Sequence, residues 1–221
     1  MSHTMTVDGE TLTVSKVVCL ARNYAEHARE LGAVVPKEPL FFLKPPSCLL
    51  PGGGEIRMPT DIGRVDVETE LVAVLGRGGR DIPPSEAMNL VAGYAVFFDI
   101  TARELQATAR KQGQPWSAAK GYDTFGPISH PVSAKRVADP HDLPIRVKVN
   151  GVVRQDSNTR HMVFRLPETL VAISRVMSLE PGDLLATGTP EGVWPIVPGD
   201  RLEGEILGVG SLRCTVAARK S

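Results

Sequence analysis

The sequence lacks an excess of either charge: 25 Lys+Arg stand against 25 Asp+Glu in 221 residues. Electrostatic binding of nucleic acid needs a basic surplus, and a disordered charged tail needs a block of one sign, so both are excluded. No apolar run approaches the ~18 residues of a membrane-spanning helix, and the first ten residues lack the apolar stretch of a secretory signal. Cysteine is sparse: Cys19, Cys48 and Cys214 are far apart and form no C-x-x-C motif, which fits a reducing, cytoplasmic setting. No repeat, low-complexity tract or linker divides the chain, so residues 1–221 read as a single domain with 1–16 as a short N-terminal extension. Common site signatures are missing too. Gly52-Gly53-Gly54 is not followed by Lys-Ser/Thr, Gly76-Arg77-Gly78 lacks the third glycine of a dinucleotide loop, and there is no G-x-S-x-G elbow.

Turn formers are plentiful, with 21 glycines and 18 prolines scattered along the chain. That favours many turns and an α+β fold dominated by strands. Residues 17–20, 40–43, 65–75 and 91–100 read as strands, the last two as buried ones. Residues 23–31 read as a helix with Asn23 at its N-cap and Gly32 at its stop. Thr101 and Glu104 have capping-box spacing ahead of a helix reaching about Lys111. Short helices are expected over 86–90 and 167–177, and Asn150-Gly151 marks a hairpin between 145–149 and 152–155. From Gly182 to Ala217, short apolar runs separated by turns read as a β-meander.

Four groups of residues bear chemistry. Glu68 and Glu70 are i, i+2, on one side of a strand and ~6.6 Å apart along it, with apolar residues beyond them. Asp99 ends another apolar run. Three hard oxygen donors without a nearby cysteine favour Mg²⁺, Mn²⁺ or Ca²⁺ over structural zinc. The Glu-x-Glu spacing alone equally describes the wet face of an edge strand, and by itself favours it. His27 and Glu30, i and i+3 on a helix, have the arrangement of a general base with its orienting carboxylate, a spacing that exposed helical pairs share. Arg103 and Gln106 also share a helix face, and with Lys120 they are candidates for holding an anion. The turn Thr187-Gly188-Thr189-Pro190-Glu191-Gly192 can present backbone N–H groups to an anion.

In chain order, Arg22-Asn23-Tyr24-Ala25-Glu26-His27, Phe42-Leu43-Lys44-Pro45, Glu68-Thr69-Glu70-Leu71, Gly93-Tyr94-Ala95, Asp99-Ile100-Thr101-Ala102-Arg103, Lys148-Val149-Asn150-Gly151, Leu179-Glu180-Pro181-Gly182-Asp183 and Thr187-Gly188-Thr189-Pro190 together resemble the fumarylacetoacetate hydrolase family. The likeness is to its short branch, which contains acylpyruvase and oxaloacetate decarboxylase, and it spans roughly residues 17 to 206. The resemblance implies a mixed β-sandwich roll, a homodimer, and no separate N-terminal domain of the kind larger members carry. It implies a divalent ion, Mg²⁺ or Mn²⁺, on Glu68, Glu70 and Asp99, with Asn23 and Tyr24 where larger members place a further acid. His27 and Glu30 match a water-activating dyad. Arg103, Gln106 and Lys120 match substrate-holding positions, and Thr189 matches a residue near the substrate carboxylate. The implied activity is hydrolysis of a C–C bond in acylpyruvates such as fumarylpyruvate or acetylpyruvate, with a lid over 28–39 choosing the acyl group. Oxaloacetate decarboxylation and isomerisation are the alternatives on the same site, and a catalytically idle anion-binding protein is a third class.

Overall fold

The computed structural model describes residues 3–219. Two sheets face each other and hold the main core between them. The larger contains Leu40–Lys44, Val17–Ala21, Leu184–Ala186, Thr69–Leu75, Val91–Phe98, Gly126–Ile128 and Leu49–Pro51 in that order, with Val132–Ser133 added beside Val91–Phe98. The second runs Val152–Asn158, Pro144–Val149, Arg201–Ile206, Gly210–Ala218 and Gly54–Met58. Both are mixed, because Leu184–Ala186 lies parallel to Val17–Ala21 and Gly210–Ala218 parallel to Gly54–Met58 while most other pairs are antiparallel. The family's β-sandwich roll is therefore the fold. Helices are few: α1 (Ala25–Glu30), α2 (Arg103–Gln112), α3 (Ser117–Lys120) and α4 (Leu166–Val176).

The continuous apolar runs have a simple cause: the central strands are covered on both faces. Leu71, Ala73 and Leu75 point into the core between the sheets, as do Val96 and Phe98. Val72 and Val74, with Ala95 and Phe97, point the other way into a second core. Strand period two separates the sets. The outer core is closed by Met5, Val7, Leu12 and Val14, most of them on the hairpin of Thr4–Val7 and Glu10–Thr13. The segment read as an extension is thus a packed lid on the large sheet. Between the sheets the approach at Gly204 is close, since a Cβ there would lie 2.5 Å from the Phe98 ring. The three cysteines are free and buried, and no helix among the described residues is long and apolar enough to cross a membrane.

Several local expectations need correction. The run 65–75 is two strands, Val65–Val67 and Thr69–Leu75, which join different sheets and break at Glu68. Asn23 does not cap α1, whose N-cap is Tyr24. Its amide instead bonds Phe164 and Thr187 across the fold. Thr101 lies in a two-residue strand, Thr101–Ala102, and Ala102 caps α2 without a side-chain bond. Glu104 accepts from the Arg64 N–H. The C-terminal third is not one meander: Leu184–Ala186, Trp194–Ile196 and the hairpin of Arg201–Ile206 with Gly210–Ala218 join three different sheets. The Asn150-Gly151 turn forms as read, both residues having positive φ.

Candidate active site

Strand register brings the acids together. Thr69 faces Phe98 and Glu70 faces Phe97 in the antiparallel pair, so one step further on Glu68 comes opposite Asp99. The Asp99 N–H donates to the Glu68 carbonyl at 2.8 Å. Glu68, Glu70 and Asp99 offer carboxylate oxygens within 4.8 Å of one another. They are buried, at 5 %, 1 % and 1 % exposure, which rules out a wet edge-strand face.

Three buried acids cost several kcal/mol each unless paired. The Lys120 ammonium donates to Glu68 at 2.9 Å, Asp99 at 2.5 Å and Thr101 Oγ1 at 2.6 Å. Lys44 donates to the other Asp99 oxygen at 2.6 Å and to the Phe125 carbonyl at 2.8 Å. Arg103 reaches Glu68, donates to Gln106 Oε1 at 2.7 Å and to Asp66 at 2.7 Å. Burial pushes Glu68 upward, but Lys120 and Arg103 together outweigh it and hold its carboxyl well below the usual range. Burial and the fields of Asp99 and Glu68 push Glu70 well above that range. Glu70 has no ion pair among the described residues; its Oε2 accepts only from the Gly188 N–H, at 2.8 Å. Lys120 is held protonated: burial opposes its charge, and Asp99 and Glu68 overcome that.

His27 and Glu30 are in contact, as their i, i+3 spacing predicts. His27 is 5 % exposed, and its Nδ1 lies 3.1 Å from Glu30 Oε2. The other Glu30 oxygen accepts from the Gly192 N–H at 3.2 Å. The turn at 187–192 does present backbone N–H groups, but to carboxyl oxygens of the protein itself, on Glu70 and Glu30. Gly192 has φ +88°, and a Cβ there would strike the Arg154 carbonyl, so only glycine suits it. Thr189 donates to the Thr69 carbonyl at 2.8 Å and receives Gln155 Nε2 at 2.8 Å.

A cavity of about 500 Å³ opens over these groups, lined by all three acids, His27, Arg103, Gln106, Lys120 and Thr189. Glu30 stands behind His27 and is not part of its lining. Leu31, from the segment read as a lid, lines it as well, and Phe42 and Trp116 form an apolar wall with ring centroids 5.4 Å apart. Sequence reasoning gave no role to Lys44, Asp66 or Gln155. Lys44 carried two signals, a charge closing an apolar run just as Asp99 does and a place in the matching stretch Phe42-Leu43-Lys44-Pro45. Asp66 and Gln155 carried none.

A buried floor of hard oxygen donors, with one carboxylate left without a cation, suits a divalent metal ion. Beside it stands an oriented imidazole inside a cavity of ligand size. Such a pocket defines the class: an enzyme with a candidate metal centre. Residues 16–217 match the family described as fumarylacetoacetate (FAA) hydrolase C-terminal, and the chain belongs to that family. It is 46% identical to a mitochondrial oxaloacetate tautomerase of Arabidopsis thaliana over 93% of this chain and 92% of that protein. It is 43% identical to a mitochondrial oxaloacetate decarboxylase of Dictyostelium discoideum, covering 89% and 91%. The crystal structure of fumarylpyruvate hydrolase from Pseudomonas aeruginosa with Mn²⁺ and pyruvate superposes with a TM-score of 0.93 at 39% identity, covering 99% and 97%.

Proposed function

We propose that the protein hydrolyses a C–C bond in acylpyruvates, giving pyruvate and a carboxylic acid, with a divalent metal ion. The observation that carries this reading is the His27–Glu30 pair beside the three acids of the cavity. With Glu30 ionised, Nδ1–H donates to it and Nε2 keeps a lone pair, a tautomer assigned from the bonding pattern. His27 Nε2 takes a proton from water as the oxygen attacks the distal carbonyl. The bond from that carbon to the pyruvate methylene then breaks, and its electron pair leaves as the pyruvate enolate, which takes up a proton. Glu68, Glu70 and Asp99 would hold a divalent ion, Mg²⁺ or Mn²⁺ in this reading, which would supply Lewis-acid chemistry at the keto-acid end. Lys120, at the junction of Glu68 and Asp99, offsets the developing negative charge. Arg103 holds Gln106 through its oxygen, leaving the Gln106 amide N–H groups for the keto acid, with Thr189 near its carboxylate. A homodimer, which rests on the resemblance, and a cytoplasmic setting, which rests on the three sparse cysteines, belong to the same reading.

The test is pyruvate release from fumarylpyruvate and acetylpyruvate. Chelator abolishes it and Mg²⁺ restores it; full rate in chelator defeats the metal role. His27→Ala lowers hydrolysis about 10²–10⁴-fold and enolisation far less. Equal losses would remove His27 as the water base. The names of the relatives favour a second reading, tautomerisation or decarboxylation of oxaloacetate, which needs the same enolate stabilisation without water attack. Direct assay of oxaloacetate, with and without His27, separates the two.

A further inference from the structure

One buried acid beside the site takes no part in the chemistry above. Asp66 is 1 % exposed and stands outside the cavity lining. Two guanidiniums share it: Arg64 Nε donates to Oδ1 and Arg103 Nε to Oδ2, each at 2.7 Å. The Arg64 side chain is 51 % exposed and that of Arg103 15 %. An exposed pair contributes little and a buried carboxylate needs a close partner, so Arg103 is the main compensation for the Asp66 charge.

The strand Val65–Val67 and the residue before it hold both the backbone and the side chain of Arg103. Asp66 faces Thr101 across the antiparallel pair with Thr101–Ala102, next to the head of α2, which has no side-chain cap. The Arg103 N–H donates to the Arg64 carbonyl at 2.8 Å, and Glu104 accepts from the Arg64 N–H at 3.0 Å. The guanidinium is then divided three ways: Nε to Asp66, Nη1 to Gln106 Oε1 at 2.7 Å, and Nη2 to Glu68. Left to one carboxylate, a guanidinium pairs bidentately. Without the Asp66 charge, Arg103 would turn two nitrogens onto Glu68 and release Gln106.

We propose that Asp66 is a positioning residue for the site: by holding Arg103 Nε it limits Arg103 to one bond with Glu68, which keeps Glu68 available to a divalent ion, and it fixes Gln106 at the cavity wall. Asp66 touches neither substrate nor metal in this role and acts through Arg103 alone. The proposal rests on the metal reading above and deepens it.

The test is calorimetric Mn²⁺ affinity in a double-mutant cycle. Asp66→Asn, which keeps the shape and removes the charge, weakens Mn²⁺ binding about 10- to 100-fold. In an Arg103→Met background the same substitution changes it by less than about twofold, because the two residues act as one unit. A merely structural role, or a through-space effect of the charge, weakens binding equally in both backgrounds. Equal losses, or an unchanged affinity in Asp66→Asn, overturn the proposal. The side-chain amide resonances of Gln106 give a second reading in the metal-free protein: they shift in Asp66→Asn, and resonances that stay in place also overturn it. Failure of the parent protein to bind Mn²⁺ defeats the metal reading itself. In that case, or where Arg103→Met does not fold, the Gln106 resonances decide whether Asp66 sets Arg103.

Discussion

The two central strands are built in opposite ways at their two ends. Beyond Leu71 and before Phe98 the residues are apolar but for the Tyr94 hydroxyl, and most are buried between two cores. At the other end the same ladder carries Glu68, Glu70 and Asp99, equally buried. Apolar burial is non-directional and needs only volume. The charged end needs particular partners at particular distances, and they come from the strand Leu40–Lys44, from α2 and from α3. Stability at one end is therefore a property of the sheet, and at the other a property of a network.

The largest effects test that distinction. Lys44→Met leaves Asp99 with one cation and removes one of the two donors to the Phe125 carbonyl, the Ile100 N–H remaining. Breaking a buried pair from one side costs about 3–5 kcal/mol, read by urea unfolding of the metal-free protein. Leu71→Ala, at the apolar end, costs about 2–5 kcal/mol by transfer and cavity terms. Mn²⁺ separates the two: a cation beside Asp99 restores much of the first loss and none of the part of the second caused by the cavity. Equal recovery in both variants would abolish the distinction between the two ends.

That contrast also explains what was legible in the sequence. The apolar end is written in local periodicity, and the Asn150-Gly151 hairpin and the His27–Glu30 pair are written in short spacings. The three acids stand out because charge interrupts apolar runs. Their compensation is not local. Lys44 lies 55 residues from Asp99, and Asn23 lies 141 from Phe164. Where a side chain has both a local and a distant use, local rules choose wrongly. Thr101 looks like an N-cap but accepts from Lys120 and donates to the Asp99 carbonyl. Asn23 looks like an N-cap but ties two loops together. The break at Glu68 was hidden because hydropathy does not record a change of sheet.

A smaller effect comes from Gln155, fully buried and 86 residues from Thr69. Its oxygen receives the Thr69 N–H at 3.0 Å, between the two glutamates, and its nitrogen donates to Thr189 and to the Pro190 carbonyl. Gln155→Leu orphans the Thr69 N–H, at about 1–3 kcal/mol. The loss should appear as faster hydrogen exchange at Thr69 while Ala73, further along the apolar end, keeps its protection. Uniform acceleration along the strand would mean that Gln155 supports the whole sheet and not its charged end.

The last effect has the opposite sign. Glu70 is raised in the folded state by burial, then by Asp99 and Glu68, so the fold favours its protonated form. Its contribution to stability is present below the unfolded carboxyl range and is lost as pH rises toward the raised folded value. Glu68 behaves in the reverse sense, its depressed carboxyl contributing above the unfolded range and losing that contribution on acidification. Glu70→Gln therefore stabilises the metal-free protein at pH 8 relative to the parent, with a margin that shrinks toward pH 5. A divalent ion needs the deprotonated carboxylate, so adding Mn²⁺ at pH 8 should stabilise the parent and leave the variant nearly unchanged. Unfolding curves at both pH values, with and without Mn²⁺, give all four quantities. A pH-independent difference would show that Glu70 is not the acid kept without a counterion for the metal.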